Sequence, residues 1–126
     1  MNVINTKEAP AAIGPYSQGI SAGNIIYTSG QLPIDVKTGE LETGDIKKAA
    51  KNSLDNCKAV LAAAGAALDQ VVKTTVFMTD LGDFAAMNEV YASYFPANPP
   101  ARSCVQVAAL PKGAKIEIEV TAVRSV

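Results

Sequence analysis

The stretch VVKTTVFM, Val71 to Met78, decides the fold. Six of its eight residues are Val, Thr or Phe, types that suit a pleated strand. Val71, Thr75 and Phe77 alternate with Val72, Val76 and Met78, so both faces are partly apolar. A strand of this kind belongs in the middle of a sheet, with cover on each side.

Working outward toward the C-terminus, Asp80 is placed to cap a helix carrying Phe84, Met87, Asn88, Tyr91 and Phe95 at helical spacing. PANPPA, residues 96–101, breaks that helix. A strand over Arg102 to Val107 follows, then the turn AALPKG and the strand AKIEIEVTAV, Ala114 to Val123. The last strand alternates strictly, with Ile116, Ile118, Val120 and Ala122 on one face and Glu117, Glu119, Thr121 and Val123 on the other. On the N-terminal side, Asp45 is a second N-cap, and Ile46, Ala49, Ala50, Ser53, Leu54, Cys57, Leu61 and Ala64 make an apolar stripe ended by Gly65. Cys57 reads there as a small core residue. Residues 35–44, DVKTGELETG, are a polar loop. Before it, GPYSQGISAGNIIYTSGQLP reads as two short strands around Gly23-Asn24, the second over Ile25 to Ser29.

The order β-β-α-β-α-β-β over residues 1–126 predicts a single α+β domain: one mixed sheet with two helices on one face. The helices leave the second apolar face of the central strand uncovered. That predicts a homo-oligomer packed through the helix-free side of the sheet.

Composition narrows the function. Eleven Lys and Arg stand against twelve Asp and Glu, with no basic block, so a nucleic-acid footprint is not expected. No run of eighteen apolar residues could span a membrane, and the N-terminus lacks a secretory core. Two cysteines form no disulfide framework, and a cytoplasmic setting is expected. The chain has no histidine. Ser-His-Asp, Cys-His and histidine-metal chemistry are thereby excluded, leaving carboxylates, Tyr, Cys, Ser, Lys or backbone groups for catalysis.

Arg102 and Cys104 sit at alternate positions and share a strand face. If the last two strands pair as an antiparallel hairpin, one register sets Cys104 opposite Glu117 and Arg102 opposite Glu119. Arg102, Cys104, Gln106, Glu117 and Glu119 would then face the oligomer interface, and Ser103, Val105 and Val107 would lie under the helices. A one-residue slip reverses the assignment. The plainer alternative is a solvated polar face with a cross-strand ion pair. A thiol suits a wet face poorly, and charges buried between subunits need a partner or a purpose.

PARSCVQVAALPKGAKIEIEV, residues 100–120, resembles the signature of the RidA/YjgF family of reactive intermediate deaminases. APAAIGPYSQGI and YTSGQLP resemble its N-terminal motifs, and VVKTTVFMTDLGDFAAMNEVY its middle section. Gly19 departs from the alanine of many members. The resemblance implies a chorismate-mutase-like domain, a homotrimer with sheets inward, and a cleft at each subunit interface. It further implies hydrolysis of 2-imino (enamine) acids to 2-oxo acids and ammonia, with no cofactor and no metal. By the same resemblance, Arg102 clamps the substrate carboxylate and Glu117 activates water. Cys104, Ser29, Gly30, Tyr16 and Asn88 line the rest of the pocket.

These residue types suit that chemistry. Arginine holds a carboxylate bidentately, and without histidine a carboxylate is the natural general base. Burial would raise the pKa of Glu117, and a nearby Arg102 would oppose the rise. Cys104 has no evident base and reads as a positioning group. Ser29 lacks a nucleophile-elbow context. Tyr16 reads equally as a lid or a packed aromatic, and Asn88 as a structural hydrogen-bonding group. Two other functions compete: a regulatory or 2-oxo-acid-binding module without turnover, and an RNA-directed translation inhibitor or endoribonuclease.

Overall fold

The strict alternation near the C-terminus does form a strand, and the sheet is organised around it. The computed structural model describes residues 1–125. Its strands are β1 (Asn2–Ile4), β2 (Gly19–Ala22), β3 (Ile25–Thr28), β4 (Val71–Met78), β5 (Ala101–Gln106) and β6 (Ile116–Val123). Two helices complete the fold, α1 (Ile46–Ala63) and α2 (Phe84–Tyr94). The sheet order is β1-β2-β3-β6-β4-β5, a mixed sheet in an α+β arrangement. β1 was not anticipated from the sequence. Three residues are too few to show a period.

The expected β5–β6 hairpin does not exist. β4 lies between the two strands. It pairs with β5 in parallel and with β6 antiparallel. The cause is α2, because a strand–helix–strand crossover returns the chain parallel to its starting strand. The free edge of β4 then takes β6. In the resulting register Thr74 faces Arg102 and Val120, Val76 faces Cys104 and Ile118, and Met78 faces Gln106 and Ile116. Arg102 and Cys104 therefore project to the side of buried Ile116, Ile118 and Val120, under the helices. Ser103 and Val105 take the open side, the reverse of the expectation.

The helix side is the core. Leu54, Cys57, Val60 and Leu61 of α1 and Met87 and Tyr91 of α2 pack with Ile26, Val76, Ile116 and Ile118. Cys57 is fully buried, donates to the Ile118 carbonyl at 3.4 Å, and has its thiol pushed up to about 12 by desolvation. A register shift between Val71 and Lys73 turns Val71 inward and leaves Val72 half-exposed. The simple alternation had placed Val71 with Phe77. On the open face, Tyr27, Val105 and Val123 remain 50%, 41% and 38% exposed. These apolar groups lie beside Lys73, Glu117 and Glu119 on that side of the sheet and have no cover within the protomer.

Asp45 caps α1 as expected, accepting from the Lys47 and Lys48 amides at 2.9 and 3.3 Å. Asp80 instead caps a short 3-10 turn before α2, accepting from the Gly82 amide. Asn56, unremarked in the apolar stripe, is buried and donates to the Leu32 and Ile34 carbonyls at 3.2 and 2.9 Å. α1 thus fixes the chain that follows Gly30. We expect Asp45→Ala to cost about 0.5–2 kcal/mol, read as a lower urea midpoint at unchanged m-value.

Candidate active site

Two groups of polar residues stand out, on opposite faces of the sheet. The first centres on Glu117. Residues 29–31 run beside β6, with the Gln31 amide donating to the Ile118 carbonyl at 2.7 Å and the Ile118 amide returning a bond at 3.2 Å. Gly30 consequently lies against the Glu117 side chain. A Cβ on Gly30 would stand 2.5 Å from Glu117 Oε1, so only glycine leaves room for the carboxylate there. Ser29 donates its hydroxyl to the Ser17 carbonyl at 2.5 Å, and its amide donates to the Gln18 carbonyl. Its proton is committed to the backbone, so Ser29 is no nucleophile and keeps only acceptor capacity. Tyr16 is half-exposed and accepts from the Ile13 amide at 3.4 Å. Tyr16, Ser29, Gly30 and Glu117 line one cleft of about 890 Å³.

Buried Gln18 secures the cleft's outer wall. Its Nε2 donates to the carbonyls of Thr6, Ala9 and Pro10, and its Oε1 accepts from the Thr6 amide. Burial, and then the charge of Glu119, hold the Glu117 carboxyl above the ordinary glutamate value. Arg102, on the far side of the sheet, does not oppose the rise within one protomer. No described residue hydrogen-bonds or ion-pairs with this carboxylate; the two salt bridges among the described residues are Lys47–Glu89 and Lys51–Asp55.

The second group centres on Arg102, on the helix side at the sheet edge. Arg102 Nη1 donates to Asn88 Oδ1 of α2 at 2.7 Å. The guanidinium carbon lies 4.6 Å from the Tyr91 ring centre and 5.3 Å from that of Phe84. Asn88 is therefore a partner of Arg102, and helical spacing had brought Phe84, Asn88 and Tyr91 to one face of α2. Cys104 adjoins, with Sγ 3.7 Å from Met78 Sδ. Desolvation raises its thiol pKa, and the Arg102 charge partly offsets that. Such a thiol stays protonated near neutrality, and Glu117 is not there to act as its base.

The structure thus gathers Tyr16, Ser29, Gly30 and Glu117 in one place and Arg102, Asn88 and Cys104 in another. It does not bring the two together in one protomer. The expected shared face of Arg102 and Glu117 is overturned: Glu117 pairs with Phe77, whereas Arg102 pairs with Thr74, and these positions point to opposite sides. Tyr91 and Phe84 looked like plain core residues. Their i, i+7 spacing on α2 was the available signal, and bringing Arg102 to them needed the β4–β5 register, because the expected hairpin put Arg102 on the helix-free side. Among the described residues no group of three His, Cys, Asp or Glu could hold a metal ion.

A glutamate whose folded pKa is raised binds its proton more tightly in the folded chain. Its burden on stability is absent below the unfolded value, near 4.5, and grows as pH rises through the folded pKa. We expect Glu117→Gln to raise the melting temperature at neutral pH and to match the parent protein near pH 4.

The comparisons with known proteins agree with this architecture. The family described as Endoribonuclease L-PSP matches residues 6–124. A RutC family protein of Pyrococcus horikoshii is 55% identical over 120 residues, 95% of each chain. The 2-iminobutanoate/2-iminopropanoate deaminase of Escherichia coli strain K12 is 56% identical over 124 residues, 96% of each chain. The crystal structure of E. coli TdcF with bound serine superposes with a TM-score of 0.95 at 51% identity, covering 99% of this chain and all of that one. No helix is long and apolar enough to cross a membrane among the described residues. With near-full-length identity above one half and this sheet topology, the chain belongs to the RidA/YjgF family.

Proposed function

We propose that this protein hydrolyses small 2-imino and enamine acids to 2-oxo acids and ammonia, at sites completed between copies of the chain. The observation that carries this reading is a division of chemistry. One face of the protomer holds a guanidinium oriented by Asn88 and two rings, the other a half-buried acid of raised pKa that no described cation neutralises. Neither half could process an imino acid alone. Exposed Tyr27, Val105 and Val123 on the sheet face supply a drive to bring copies together, and a head-to-tail arrangement that closes as a trimer would join the halves. The deaminase activity carried by the E. coli relative's name, and the serine bound by TdcF, an amino acid with the same carboxylate, support the substrate class.

In this mechanism the substrate carboxylate takes the edge of Arg102 not used by Asn88, a bidentate contact. Glu117 accepts a proton from water as the water oxygen attacks the imine carbon. Glu117 passes that proton to the imine nitrogen, giving a tetrahedral carbinolamine. It then takes the hydroxyl proton and delivers it to the nitrogen as the C–N bond breaks, leaving the keto group and ammonia. An acid of raised pKa is well suited to taking and returning one proton. Ser29 and the Gly30 backbone border this path, Tyr16 walls it, and Cys104 presents a neutral thiol beside the carboxylate anchor. No cofactor or metal enters any step.

A binding module without turnover would use the same anchor, and calorimetry with 2-oxobutyrate set against the turnover assay separates the two. RNA cleavage is disfavoured by a net charge of -1, which offers phosphate no basic footprint, and by the absence of histidine, which removes the usual acid–base group. Added to a dehydratase that acts on serine or threonine, the protein is expected to accelerate keto-acid release. Arg102→Ala should lower kcat/KM about tenfold to a hundredfold, and Glu117→Ala should abolish turnover. kcat/KM should rise with pH as Glu117 deprotonates, with a midpoint above 4.5. No acceleration by the unmodified protein would contradict the proposal.

A further inference from the structure

Arg102 and Thr74 are direct neighbours across the parallel β4–β5 ladder, and both project toward α2. Tyr91 of α2 covers both. Its ring centre lies 4.6 Å from the Arg102 guanidinium carbon, and its hydroxyl shares a 2.7 Å hydrogen bond with Thr74 Oγ1. Thr74 is fully buried and Tyr91 is 5% exposed, so this hydroxyl pair is sealed from water. The ring is held at one end by the helix backbone and at the other by the strand adjoining Arg102.

The consequence concerns the plane of the guanidinium. One hydrogen bond to Asn88 leaves the fork free to rotate about that contact. A flat ring under the cation restricts the rotation, because the guanidinium stacks best with its plane along the ring. Phe84 adds a second aromatic wall at 5.3 Å but has no polar tether. We infer that Tyr91, locked by Thr74, is a positioning residue that sets the plane of the Arg102 fork and hence substrate affinity. The inference rests on the carboxylate-anchor reading above. Tyr91 touches no reacting atom in it. Its effect should fall on binding, which the substrate and the transition state share through an unreacting carboxylate.

The test uses Tyr91→Phe, Thr74→Val and the double variant, each measured for kcat, KM, the 2-oxobutyrate Kd by calorimetry, and the urea midpoint. Each single change cuts the same tether and leaves one buried hydroxyl orphaned. The double change removes both hydroxyls, which costs stability far less. We expect KM and Kd to rise about threefold to tenfold in all three variants, with kcat changed less than twofold. The urea midpoint should fall in each single variant and recover in the double, while affinity stays weak. Affinity that recovers together with the midpoint, or that never changes, would overturn the inference and leave Tyr91 a purely structural residue. Arg102→Lys serves as the control, because it keeps the charge and loses the planar fork. If Arg102→Lys binds 2-oxobutyrate as well as the parent protein does, the planar fork is not needed and the role of Tyr91 falls; if Arg102→Ala does so, the anchor reading itself falls. Unchanged affinity in the Tyr91 and Thr74 variants alone would leave that anchor standing.

Discussion

The position of β4 between β5 and β6 is the constraint on which the rest depends. Side chains alternate across a strand, and paired residues on neighbouring strands share a face. β4 therefore transmits parity from one neighbour to the other. Beyond the bulge at Val72, even-numbered residues of all three strands, Arg102 and Cys104 among them, meet the helices, and odd-numbered Glu117 and Glu119 meet the open side. The separation of anchor and acid thus follows from the crossover made by α2. A protein that uses both groups on one small substrate has to supply them from different copies.

Each half is built for a charge that the protomer leaves unneutralised. Arg102 is surrounded by polarisable rings and one amide oxygen, which orient a cation without cancelling it. Glu117 is half-buried against the bare backbone of Gly30, and desolvation together with the charge of Glu119 raises its proton affinity. A chain without histidine obtains a proton acceptor working closer to neutrality by this route. The supports of the two halves are also separate. α1 reaches the Glu117 side through Asn56 and the 32–34 carbonyls, and α2 reaches the Arg102 side through Asn88 and Tyr91.

Much of the fold was legible in the sequence because its signals are local. Val71–Met78 and both helices carry their own periodicity, and Asp45 caps where its spacing predicts. The family resemblance names Tyr16, Ser29, Gly30, Asn88, Arg102, Cys104 and Glu117 together, whereas the protomer holds them as two groups, with Asn88 meeting Arg102 in one of them. What failed was long-range. Nothing within residues 101–123 states that β4 intervenes, so the nearest-neighbour hairpin was the natural choice and its register was wrong. The bulge at Val72 hid in a run of valines. Tyr91 and Asn56 went unread because a helical stripe shows which residues turn inward and not which polar atoms meet there. Hydrogen bonding between distant segments leaves no periodic trace.

The central claim is that catalysis needs Arg102 of one copy and Glu117 of another. The most direct measurement mixes Arg102→Ala protein, which is impaired, with Glu117→Ala protein, which is inactive, unfolds and refolds them together in equal amounts, and assays imine hydrolysis. Sites shared across a head-to-tail interface predict recovery of about a quarter of the parent activity, because one interface in four pairs an intact acid with an intact anchor. A mixture no more active than the average of its two components would contradict the account.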